Sequence, residues 1–139
     1  MIEELLRELP PGPTTAPFWK AAARHQFVLQ RCESCGRLQH PPEPICTSCL
    51  SDSLAFERVS GLGKVYSFTI VRRALLPELE SRVPYLLVLI DLAEGCRIVS
   101  LLRECEPDQV YIGLDVRVDF ETVGSLTLPI FKPLGVVAS

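Results

Sequence analysis

RCESCGRLQHPPEPICTSC, residues 31–49, holds four of the chain's six cysteines in two Cys-x-x-Cys pairs, Cys32/Cys35 and Cys46/Cys49. A two-residue spacer lets both sulfurs of a pair face one centre from a single tight turn, and two such pairs supply the four ligands of a tetrahedral ion. The segment around them has too little apolar area to fold unaided, so a closed four-thiolate site would contribute folding energy directly. Catalytic zinc keeps an open position, which four thiolates do not leave. The expectation is therefore a structural centre. Tetrahedral thiolates suit both zinc and iron, and zinc is the ion expected. Gly36 follows the first pair, where a glycine allows a positive φ; Leu50 follows the second, which reads as the less regular knuckle. His40, beside Pro41 and Pro42, reads as a packed or exposed loop histidine rather than a ligand. Cys96 and Cys105 stand apart and read as buried thiols, with Glu104 and Glu106 disfavouring a thiolate at Cys105.

On either side of the cysteines lie short strands. FVLQR runs into Cys32, and residues 38–40 are placed to return antiparallel to it. Downstream the chain is strand after strand: KVYSFTIV (64–71), YLLVLIDL (85–92), RIVSLLR (97–103), DVRVDFET (115–122) and LTLPIF (126–131). In the fourth, Val116, Val118 and Phe120 alternate with Arg117, Asp119 and Glu121, the period of a half-buried strand. Five strands, with a longer connection after the third that could hold a helical turn at 107–110, fit a five-stranded OB-fold barrel best, with an SH3-like barrel or a short sandwich as the alternatives. Tyr66 and Phe68 share a face with Ile70 and are expected inside it. Upstream, Ile2, Leu5, Leu6 and Leu9 form a helical stripe ended by Pro10 and Pro11. A second helix is expected through about His25, with Thr15 as N-cap, Pro17 in the first turn, and Phe18, Trp19 and Ala22 buried.

Composition excludes several classes. The longest apolar run, Tyr85 to Ile90, is far short of the roughly 18–20 residues that span a bilayer. The N-terminus lacks a basic region before an apolar stretch, so a cytoplasmic protein is the expectation. No nucleophile elbow, P-loop, dinucleotide fingerprint or His-Glu-x-x-His motif occurs, and two histidines offer little general-base capacity. No catalytic residue is assigned. Zinc knuckles and OB barrels both bind single-stranded nucleic acid, the alternative reading. The net charge of -3, falling to about -5 once four thiolates hold a divalent ion, argues against it.

TAPFWK, FVLQRCESCGRLQHPPEPICTSC, SGLGKVYSFTIV, VPYLLVLIDL, CEPDQVYIGLDVRVDF and LPIFKP, in that order, resemble the zinc-ribbon OB-fold proteins associated with acyl-CoA metabolism. Two positions depart from the family pattern: Thr47, where proline is common, and Leu50, where glycine is common. The resemblance implies a mainly β protein divided into a helical segment (1–26), a rubredoxin-like zinc ribbon (27–57), and an OB-fold barrel with C-terminal tail (58–139). It also implies a non-catalytic companion of thiolase-superfamily enzymes acting on acyl-CoA thioesters, including the retro-aldol cleavage of steroid side-chain thioesters. Under that reading Arg72, Arg73 and Lys132 are candidate contacts for CoA phosphates or an acidic partner, and Cys32, Cys35, Cys46 and Cys49 hold zinc.

Overall fold

The computed structural model describes residues 12–73 and 83–135. The helix expected at residues 2–9 lies outside these. Helix α1 spans Ala16–Ala23 with Pro17 at its start, where a missing N–H costs no hydrogen bond. Thr15 takes the N-cap position but makes no side-chain cap; its hydroxyl donates back to the Gly12 carbonyl at 3.3 Å. Phe18, Ala21 and Ala22 are buried, while Trp19 lies half-buried with its ring edge-on to Phe18. His25, just past the helix, has φ 57° and stacks on Phe120 of the barrel at 5.0 Å.

Three strands form the ribbon: β1 (Val28–Cys32), β2 (Leu38–Gln39) and β3 (Leu54–Arg58), ordered β2-β1-β3 with both pairings antiparallel. β3 was not anticipated from the sequence. LAFER offers only Leu54 and Phe56 at alternating positions, and it becomes a strand by pairing with β1 from Val28↔Arg58 to Cys32↔Leu54.

The remaining five strands are β4 (Leu62–Val71), β5 (Tyr85–Leu92), β6 (Arg97–Leu102), β7 (Asp115–Val123) and β8 (Leu126–Pro133). They close in the order β4-β5-β6-β8-β7, antiparallel except where β6 meets β8 at Leu102↔Phe131. This is the OB-fold barrel expected from the strand count. Val65, Val88, Ile90, Val116 and Phe131 fill its centre at 1% exposure or less. Gly63 pairs with Leu92 on one side and Val116 on the other. A Cβ there would lie 2.6 Å from the Asp91 carbonyl, so only glycine lets β4 pass this close to β5. Phe27, one residue before β1, meets Phe131 edge-on at 6.0 Å and seats the ribbon on the barrel.

Tyr66 is a correction. The register of β4 against β5 shifts between Val65 and Ser67, making Tyr66 the extra residue of a bulge. Val65 points inward instead, and Tyr66 is 47% exposed with the Arg97 guanidinium 3.5 Å from its ring centroid. Strict counting by twos cannot see a bulge, because the partner strand decides where it falls. Among the described residues, no helix is long and apolar enough to cross a membrane.

Candidate metal centre and its surroundings

The four cysteines of residues 31–49 converge, all four sulfurs lying within 4.8 Å of one another. The Sγ atoms of Cys32 and Cys49 are 3.5 Å apart, and those of Cys35 and Cys46 are 3.7 Å apart. A tetrahedron with bonds of about 2.3 Å has edges of roughly 3.8 Å, so the spacing and the all-thiolate donor set fit zinc. Cys32 and Cys46 are fully buried, while Cys35 and Cys49 face the surface.

The two knuckles use the same backbone device. The Gly36 N–H donates to the Cys32 carbonyl at 2.8 Å, and the Leu50 N–H donates to the Cys46 carbonyl at 2.9 Å. Both residues have left-handed backbones, φ 79° and 66°. The second knuckle is therefore as regular as the first, contrary to the expectation from its leucine. It holds that geometry with a side chain disfavoured there by about 1–2 kcal/mol.

Backbone amides aim at the sulfurs. The Cys35 N–H lies 3.4 Å from Cys32 Sγ, and the amides of Ser48 and Cys49 lie 3.4 and 3.5 Å from Cys46 Sγ. These donors favour the thiolate. The Cys35 amide, helped by that of Ser34 and opposed by burial, pulls Cys32 down to about 6. At Cys49 the Ser51 amide pulls downward, but the Cys32 sulfur and burial outweigh it and push the thiol up to about 12. Thiol ligands hold a divalent ion as thiolates, so metal binding at such a site releases protons.

A second set of residues, which the sequence reading missed, frames the knuckles. Gln30 and Gln39 face each other across β1 and β2 and are both buried, at 4% and 6% exposure. Gln39 Nε2 donates to Gln30 Oε1 at 2.6 Å and to the Ile45 carbonyl at 3.2 Å, while Gln39 Oε1 accepts from the Thr47 N–H at 3.0 Å and its hydroxyl at 3.1 Å. Gln30 exchanges two bonds with the Glu43 backbone, both at 2.9 Å. The pair thus anchors the loop from Glu43 to Thr47 and sets where Cys46 stands. The available signal was a glutamine at an inward position on each of two short strands.

His40 is outside the sulfur group. Its ring packs on Phe18 at 4.9 Å, burial pulls its pKa down, and its buried Nδ1 has no hydrogen-bond partner among the described residues. Cys96 is buried and Cys105 half-buried. Burial holds both above the usual thiol range, opposed at Cys96 by Arg37 and reinforced at Cys105 by Glu106 and Asp108, so both stay protonated. Arg72 and Arg73 are exposed beyond the end of β4 and make no ion pair among the described residues. Lys132 is 9% exposed, its ammonium 2.6 Å from Asp119 and 3.3 Å from Glu104. That pairing raises Lys132 and lowers Asp119, as a buried ion pair should.

Comparison with known proteins agrees with this architecture. Residues 19–55 match the family described as "ChsH2, rubredoxin-like zinc ribbon domain", and residues 56–121 match "ChsH2, C-terminal OB-fold domain". A probable enoyl-CoA hydratase alpha subunit of Thermomonospora curvata is 39% identical over 84% of this chain, which spans only 36% of that protein. A DUF35 domain-containing scaffold protein of Methanocaldococcus jannaschii is 35% identical, over 72% of this chain and 71% of the relative. The benzoylsuccinyl-CoA thiolase subunit BbsA of Geobacter metallireducens is 33% identical over 52% of this chain and 47% of its own. A chain of the solved Ltp2-ChsH2(DUF35) aldolase superposes with a TM-score of 0.78 and 36% identity, covering 88% of this chain and 95% of the matched one.

Proposed function

From the premise that this chain belongs to the DUF35 family of ChsH2-type zinc-ribbon OB-fold proteins, we propose that it is a non-catalytic accessory subunit of a thiolase-superfamily enzyme acting on acyl-CoA thioesters. The reactions served lie in steroid side-chain or fatty-acyl degradation and include retro-aldol cleavage. The observation that carries this reading is the superposition on a chain of the Ltp2-ChsH2(DUF35) aldolase across nearly all of both chains. Relatives named as a scaffold and as a thiolase subunit support it.

In this reading Cys32, Cys35, Cys46 and Cys49 are the zinc ligands. The centre is structural because four thiolates fill a tetrahedral ion and leave no position for substrate. Arg72 and Arg73, exposed at the end of β4, contact CoA phosphates or a partner's acidic groups. Lys132, engaged by Asp119 and Glu104, acts indirectly by holding β8 against β7 and the end of β6.

The test is capture of a tagged copy from its source cells, with mass spectrometry of what comes along and calorimetry with acyl-CoA. A thiolase-like enzyme should copurify, and its turnover of an acyl-CoA should fall when the tagged chain is removed. A stable monomer that brings no such enzyme and has no acyl-CoA affinity would overturn the assignment.

A further inference from the structure

β5 differs from the barrel strand on the opposite side. Along β7 the outward positions are Arg117, Asp119 and Glu121, whereas along β5 the outward positions are Leu87 and Leu89 and the inward ones are Leu86, Val88 and Ile90. Register places Leu87 opposite Leu101 and Leu89 opposite Val99 on β6. Four aliphatic side chains therefore form one block on the outside, with Leu87 39% and Val99 60% exposed. A strand apolar on both faces belongs to a sheet covered on both faces. Among the described residues nothing covers this one.

Val99 and Leu101 also border a cavity of about 290 Å³ between β6 and β8. Phe18, Trp19 and Pro41 wall it on the side of the helix and ribbon, and His40, whose Nδ1 has no hydrogen-bond partner among the described residues, lines it too. The block and the cavity are thus continuous, a flat apolar surface with a socket of a size to take one large side chain. Arg72 and Arg73 stand beyond the Val71↔Tyr85 end of the same sheet. At the other end Asp91 is held by Arg97 at 2.7 Å, and Glu94 is held by the Ser60 N–H at 2.8 Å. Among the described residues the carboxylates at that end, Asp91 and Glu94, already have these donors, so two exposed arginines beside an apolar face fit an acidic, apolar partner surface better than a second copy of this chain.

We infer that the outward face of β4 to β6, centred on Leu87, Leu89, Val99 and Leu101, docks on a folded enzyme subunit whose apolar ridge carries carboxylates facing Arg72 and Arg73 and inserts one anchor side chain beside Val99. The inference rests on the accessory-subunit reading and adds to it which surface makes the contact.

Five tagged variants test it in the same capture experiment: Leu87→Glu, Val99→Glu, the milder Val99→Thr, the double variant Arg72→Glu/Arg73→Glu, and, as control, Ile112→Glu at a 70% exposed position in the connection between β6 and β7. Enzyme recovery should fall about tenfold or more for Leu87→Glu and Val99→Glu and measurably for Val99→Thr, with metal content and Tm unchanged for Val99→Thr and recovery intact for Ile112→Glu. Wild-type capture should weaken with salt, and Arg72→Glu/Arg73→Glu should remove most of that dependence. Undiminished capture by both Val99 variants would overturn this surface while leaving the accessory-subunit reading standing. Failure of the wild type to capture any enzyme would overturn that reading and this one with it. A dimer of the chain alone that Val99→Thr dissociates would also overturn it, since the face would then serve a second copy.

Discussion

The ribbon and the barrel are both small, largely antiparallel sheets, yet different forces hold them. The barrel closes on itself around Val65, Val88, Ile90, Val116 and Phe131, so apolar burial from five strands converges on one centre. The ribbon has three strands, one of them two residues long, and its deepest positions include two cysteines and two glutamines. Where the apolar area is too small, a metal centre and a satisfied amide network take over the work of specifying one conformation. The lesson is that two adjoining sheets in one chain can differ in what would unfold them.

Metal removal is the sharpest way to break that comparison. Structural zinc in small domains is worth on the order of 10–16 kcal/mol, so chelation should disorder the ribbon and leave the barrel folded. Amide resonances of Leu29 and Gln39 should collapse while those of Ile90 and Val116 persist. Simultaneous loss of both sets, or no loss at all, would erase the distinction. Next in size is Ile90→Ala, which deletes a side chain with 0% exposure and should lower barrel stability by about 2–5 kcal/mol in denaturant titration. Zinc affinity should move far less, since Ile90 lies on β5 of the barrel and supplies no ligand.

Gln39→Ala probes the amide network. It takes the acceptor from the part-buried Thr47 N–H and removes one of the two donors to the buried Gln30 Oε1, a loss of about 1–3 kcal/mol. Because Thr47 follows Cys46, the same change should speed zinc loss to a chelator, which a purely barrel-based effect would not do. The smallest effect is a gain. Leu50→Gly relieves a left-handed leucine that is 70% exposed, and should raise ribbon stability by up to about 1 kcal/mol. A loss instead would mean that the leucine side chain itself stabilises the ribbon.

Much of this was legible before any coordinates. The Cys-x-x-Cys spacing announces convergent sulfurs because its geometry is local, needing only a turn of a few residues. The alternation of residues 115–122 announces a half-buried strand for the same reason, and β5 covers the same residues, Tyr85–Leu92, as the strand expected from the sequence. β3 was missed because five residues with two apolar positions carry no period until β1 lies beside them. Tyr66 was placed inside because the bulge belongs to the pairing of two strands rather than to either one.

From the sequence by itself came the four-sulfur centre, the five barrel strands and the family, all written in short-range patterns of residue type. Only the tertiary structure decided that Leu50 adopts the backbone of a glycine, that Gln30 and Gln39 satisfy each other, that Lys132 lies between two carboxylates, and that β5 leaves an aliphatic face outside. Each of these depends on which distant segments come together. A hydrogen bond, an ion pair or an exposed apolar patch is a property of neighbours in space, and no window along the chain contains them.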